Sequence, residues 1–148
     1  MAGAAFAALD STAGAAAPKT QVALLAATVR ARVRGFRVGN TAATSAGGNR
    51  FVLNRVSTAG TASTITAADT KLDLNSPSPT VVATSTFTAE PTSGITIEDV
   101  GFDRVGTYIL WYPPGAEPFV TTTGRLALQK TFGTETDLLA ATLGWADD

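Results

Sequence analysis

The sequence predicts an all-β fold, an antiparallel jelly-roll-like β-sandwich preceded by an extended N-terminal arm. Three observations carry this. Seven or eight short segments alternate apolar with polar residues or concentrate β-branched and aromatic ones, which suit a pleated, half-buried surface. Turns rich in Gly, Pro and Thr separate them at the spacing of a sandwich or barrel. No long segment carries the three-to-four-residue apolar period of a helix. At 148 residues the chain is the size of one domain and long enough to bury roughly two-thirds of its unfolded surface.

Taken in order, Met1–Gln21 is Ala- and Gly-biased, with Phe6 and Leu9 as its large apolar anchors. It reads either as a flexible tail or as an arm lying on a neighbouring subunit, and residues 22–148 form the domain. In Val22–Val38, Val29, Ala31 and Val33 alternate with Arg30, Arg32 and Arg34, a strand with one basic face. The phase then flips, so that Phe36 and Val38 become apolar opposite Arg37. A β-bulge at Gly35 restores every apolar side chain to the core. A helix competes over Val22–Ala31, where Leu24, Leu25 and Thr28 also fit helical spacing.

Gly39–Arg50 is a polar Gly/Asn loop, and Phe51–Thr58 a return strand with Phe51 and Leu53 on one face. Thr61–Asp69 is weakly patterned. Lys71–Pro79 sets Leu72 and Leu74 on one face before a turn cluster. Thr80–Thr88 reads as a Thr-rich strand. Ile95–Phe102 follows with Ile95 and Ile97 inward and a second phase slip near Glu98–Gly101. Gly106–Val120 then holds four of the eleven aromatic residues, between Tyr108 and Phe119. Its run Tyr108–Tyr112 stops at Pro113–Pro114–Gly115, because two prolines cannot continue a central strand. Apolar on both faces, this strand needs a cover on its second face, from the chain itself or from a partner. Gly124–Phe132 alternates with Leu126 and Leu128 inward. Asp137–Trp145 is a short strand or a helical turn.

Composition narrows function. Charged residues are 16% of the chain against an apolar 45%, so Thr and Ser carry the polar surface, as suits a protein that works assembled. The net charge of −1 argues against general nucleic-acid binding, which needs a basic face. No apolar run reaches the ~18 residues of a membrane helix, and the Ala-rich start has no basic residue before Lys19, unlike a secretory signal. With no Cys and no His, thiolate ligands, the commonest general base and the usual middle member of a catalytic triad are all missing. Neither a Gly-x-Ser-x-Gly elbow nor a phosphate-cradling Gly-rich loop occurs. The loose acidic groups, Asp69 with Asp73 and Glu98–Asp99 with Asp103, match no calcium-loop spacing. A non-enzymatic protein without cofactor or metal is expected.

Interface candidates remain. The Arg30, Arg32, Arg34 and Arg37 row is either a solvated, aggregation-resistant strand face or an inter-subunit contact. Trp111 and Tyr112 are either core or interface anchors. Phe6 and Leu9 of the arm and Phe119 complete the set.

The run Lys71–Pro79 (KLDLNSPSP), the Thr/Ser-rich strand after it and Gly101–Gln129 (GFDRVGTYILWYPPGAEPFVTTTGRLALQ) resemble small virion structural proteins of tailed bacteriophages. In those chains a leucine–aspartate–proline turn precedes a strand, and an aromatic strand ending at proline leads to a closing strand. The resemblance spans about Phe51 to Gln129. It implies a sandwich on the virion, assembled in the host cytoplasm, as a head decoration or cement protein that binds the major capsid protein or other virion subunits. It further implies a homo-oligomer, with a trimer favoured. A tail, adaptor or receptor-binding module and a carbohydrate-binding sandwich are the alternatives.

Overall fold

Most stretches in which Val, Ile, Leu, Phe or Thr recurs at every second position are extended and paired, and turns rich in Gly, Pro, Asn and Asp separate them. The computed structural model describes residues 5–13, 19–25, 29–40, 47–103, 105–132 and 138–147. Within them the elements are β1 (Ala5–Ala13), β2 (Lys19–Leu25), β3 (Ala31–Asn40), β4 (Gly48–Val56), β5 (Thr61–Thr64), α1 (Ala67–Thr70), β6 (Val82–Ala89), β7 (Ser93–Asp103), β8 (Thr107–Trp111), β9 (Phe119–Val120), β10 (Leu126–Phe132) and β11 (Leu138–Asp147).

Two antiparallel sheets pack face to face. The first has the order β1-β11-β3-β8, with β9 also paired to β3; the second is β5-β6-β2-β10-β4-β7. The pairs β1–β11, β2–β10, β3–β8 and β4–β7 are nested. They make one long hairpin, rolled so that β11 meets β3 and β10 meets β4. That wrapping is a jelly roll. The insertion between β4 and β7 adds β5 and β6 to the β2 edge of the second sheet.

Alternation sets the core. Val33, Phe36 and Val38 of β3, Leu143 and Trp145 of β11, Val22 and Leu24 of β2, Phe51 and Leu53 of β4, and Leu126 and Leu128 of β10 are buried between the sheets. Phe6 stacks on Trp145 with ring centroids 5.7 Å apart. At the other end an aromatic chain crosses from sheet to sheet: Phe36–Tyr108 at 6.1 Å, Phe102–Tyr108 at 6.4 Å and Phe51–Phe102 at 5.7 Å, each within the range where ring pairs attract. A smaller cluster lies on the far face of the second sheet, where Phe87 packs with Ala23, Val56 and Ala127. Thr86, at φ 54°, turns β6 so that Phe87 reaches across β2. Glu90 then accepts a hydrogen bond from the Thr20 amide at 2.7 Å and pairs with Lys19 at 3.2 Å.

The bulge predicted in β3 is present. Gly35 faces Gly144 while Val33 faces Trp145, which makes Arg34 the extra residue. Ala5–Ala13 is extended, as expected of an arm, but it pairs with β11 of its own chain. The boundary expected after Gln21 falls inside β2. The helix that competed over Val22–Ala31 is overruled where described: β2 is a strand, buried on both faces because Phe87 and Glu90 cover its outer side. Asp137 lies outside the described residues; from Leu138 the C-terminal segment is a strand. One inward expectation fails. Ile95 is 70% exposed: β7 slips twice against β4, at Ile97 between the pairs Leu53–Glu98 and Asn54–Thr96, and again between Asn54–Thr96 and Val56–Ser93, where Ile95 lies, so Ile97 packs on the core and Ile95 does not. Leu72 and Leu74, expected on one face, follow the short helix in a turn, and both are exposed.

Candidate functional site

The outer face of the first sheet is built by the same alternation that buries its inner face. Strand register places residues on it in cross-strand rows: Ala5, Ala146, Arg32 and Phe119; then Ala7, Gly144, Gly35 and Trp111; then Leu9, Thr142, Arg37 and Ile109. The centre is paved with small residues, the β8 edge carries large apolar ones, and arginines rise from β3. Trp111 is 66% exposed, Leu9 61% and Ile109 53%. A row of this kind is far from the solvated Thr/Ser surface found elsewhere on the chain.

The glycines explain the posture of Trp111. A Cβ built on Gly35 would sit on the Leu110 carbonyl oxygen and 2.6 Å from Trp111 Cε3, and one on Gly144 would lie 3.8 Å from Trp111 Cζ3. The indole therefore lies flat across β3 toward β11. It bounds a trough of about 300 Å³ whose lining includes Ala7, Gly144, Gly35 and, at the β1 side, Leu72. Lys71 bridges to Phe6, which brings Leu72 to that edge. On the far side of Arg37 a second hollow of about 220 Å³ is lined by Leu9, Thr142, Ala140 and Thr107. Arg37 borders both hollows and is exposed, with no ion-pair or hydrogen-bond partner among the described residues.

The other arginines are held in place. Arg34 Nη1 donates to Glu117 Oε1 at 2.7 Å, and Glu117 is only 4% exposed. The Glu117 carboxyl is held below the usual carboxylate range by its own backbone N–H, then by that of Gly115, with Arg34 and Arg32 adding to the effect. Gly115 N donates to Glu117 Oε2 at 2.6 Å, which fixes the turn after the two prolines. Arg30 and Arg32 stack on Phe119 at 4.5 and 5.7 Å from the ring centroid, within cation–π range. Arg55 Nη1 donates to the Phe119 backbone carbonyl at 3.0 Å and holds β9 at that point.

Of the nine predicted interface residues, six gather here: Leu9, Arg32, Arg34, Arg37, Trp111 and Phe119. Arg30 precedes β3 and joins them through Phe119. Two do not. Phe6 is 1% exposed and stacks on Trp145, because the β1 register turns it inward while Leu9 goes outward. Tyr112 packs against the core; its phenol is pushed above its ordinary value first by burial and then by the Glu98 carboxylate. Sequence reasoning missed Glu117, whose only signal is a lone carboxylate in a proline turn, and Ile109, which alternation from Trp111 places on the same face.

Among the described residues no three acidic side chains converge as they would around a metal ion. Asp99 pairs with Arg50, Asp73 accepts from the Asn75 amide at 2.9 Å and Asp69 accepts from Thr66. No helix there is long and apolar enough to cross a membrane. Comparison with protein-family models, curated proteins and solved structures yields no match.

Proposed function

We propose that this chain is a non-enzymatic structural protein of a phage virion, a head decoration or cement protein that stabilises the shell by docking its first sheet on neighbouring subunits. The observation that carries the reading is the outer face of that sheet: Trp111, Ile109 and Leu9 exposed around a small-residue pavement and bordered by Arg37. Aromatic and Arg side chains anchor protein interfaces, and the indole lying over Gly35 beside small residues offers a partner a broad apolar surface. The jelly roll supports the reading by analogy only, since viral capsid domains share it among others. Association would rest on apolar burial, with arginines fixing register, and the working form would be a closed homo-oligomer, a trimer in the resemblance. Purified protein incubated with heads lacking it is expected to co-sediment with them, and Trp111→Ala to abolish this without loss of strand signal in circular dichroism. Immunogold label on tails alone would move the protein to the tail or adaptor role, and no label on virions would overturn the proposal.

A second reading has one observation behind it. An indole lying open beside a shallow trough is also a stacking platform for a sugar ring, and lectin domains use jelly rolls. A glycan array without binding disposes of it.

A further inference from the structure

The trough leaves two demands unmet. Its apolar lining asks for an apolar side chain, and Arg37 beside it asks for an anion. Packing the face on a second copy of itself about an axis near Arg37 would set Arg37 against Arg37, and like charges brought together in an interface disfavour it. Most carboxylates elsewhere are committed: Glu90 to Lys19, Asp99 to Arg50, Glu117 to Arg34 and Asp147 to Thr80. Two exposed stretches combine spare acid with spare apolar surface: Asp103 with Val105, and Asp69–Asn75, which offers two of each. In the segment Asp69–Asn75, Leu72 is 68% and Leu74 83% exposed, and the carboxylates of Asp69 and Asp73 bond only to Thr66 and to the Asn75 amide among the described residues.

We infer that the occupant of the trough is a second copy of this chain, whose Asp69–Asn75 segment sets Leu74 beside Trp111 and its carboxylates against Arg37. Charge complementarity carries the choice of occupant: an exposed turn with two carboxylates to the one amine of Lys71, and two exposed leucines, meets a basic, apolar face. Every copy carries both halves, and the helical turn α1 and the Asn75 amide hold the segment in shape before it docks, which limits the ordering cost of association. The inference deepens the proposed function, since it names how subunits of the decoration layer would contact one another, and it rests on that reading only for its setting.

The test uses the full chain in light scattering and sedimentation across a concentration series, with circular dichroism to verify folding. Wild type is expected to form an oligomer. Arg37→Glu and Leu74→Ala should each weaken it at least about tenfold, and Arg37→Glu combined with Asp73→Arg should restore it. Mixing Arg37→Glu chains with Asp73→Arg chains should also recover association, because both contacts between unlike chains bring opposite charges together. A wild type that stays monomeric at every concentration, or an Arg37→Glu variant that assembles as wild type does, overturns the inference. A monomeric wild type that still binds heads removes this contact and leaves the proposed function standing. An oligomer that meets these tests but never labels virions does the reverse.

Discussion

Gly35 and Gly144 are neighbours in one cross-strand row, yet the structure assigns them opposite tolerance for a single methyl group. An alanine at Gly35 would press its Cβ onto the Leu110 carbonyl oxygen and to 2.6 Å from Trp111 Cε3. The first obstacle is backbone and cannot rotate away. Overpacking of this kind costs roughly 1–3 kcal/mol, and with backbone movement in β8 required, the upper end, about 3 kcal/mol, is expected. For a chain of this size that lowers Tm by about 6–12 °C. An alanine at Gly144 meets only the Phe6 carbonyl at 3.7 Å, the Gly35 carbonyl at 3.8 Å and Trp111 Cζ3 at 3.8 Å, ordinary contact distances. Gly144→Ala should therefore stay within about 0.5 kcal/mol of wild type or gain slightly through the stiffer unfolded chain. Adding Trp111→Ala to Gly35→Ala removes the indole contact but not the carbonyl one, so it recovers less than half of the loss. Urea denaturation of the four proteins measures all of this. Equal stability of Gly35→Ala and Gly144→Ala would refute the close approach of β8 to the bulge.

Two further expectations follow from the packing and electrostatics. Because the Glu117 carboxyl titrates below its ordinary value in the folded protein, the unfolded chain binds that proton first, and stability falls as pH drops from the ordinary carboxylate pKa through the depressed one. Glu117→Gln should flatten the acid limb of a stability–pH profile while changing its neutral plateau only by a constant; an unchanged acid limb would show that Glu117 does not contribute to it. Phe87→Ala should cost about 3 kcal/mol in urea denaturation, since Phe87 is 3% exposed over Ala23, Val56 and Ala127; a loss below about 1 kcal/mol would mean that β6 does not clamp the second sheet.

The sandwich was legible because alternation is a local signal. Leu126 and Leu128, Phe51 and Leu53, and the phase flip at Gly35 each announce their facing within a few residues. The basic row was legible for the same reason, since Arg32, Arg34 and Arg37 follow from the pleat and one extra residue. What sequence could not reach were facts of partnership across distance. Nothing near Phe6 tells that its side chain meets Trp145, and nothing near Glu117 tells that it ends under Arg34. Trp111 and Tyr112 are equivalent to a composition reading, yet the end of β8 between them sends one outward and the other to the core. Ile95 misled because β7 slips twice against β4, at Ile97 and at Gly94–Ile95, and isoleucine carries no mark of the first slip as glycine would.

The nesting of β1 against β11 has a consequence for how the molecule comes into being. Ala5 pairs with Ala146 and Ala13 with Leu138, and β11 lies between β1 and β3. During synthesis, therefore, β1 waits for β11, and until β11 has left the ribosome β1 lacks its sheet neighbour and β3 is paired only on the side of β8 and β9. Loop closure on this scale is paid before any pairing rewards it, which places such chains among slow folders. Meanwhile two unpaired strand edges stand open to other nascent copies. A chain with this topology depends on the order in which its strands emerge as much as on the contacts they finally make.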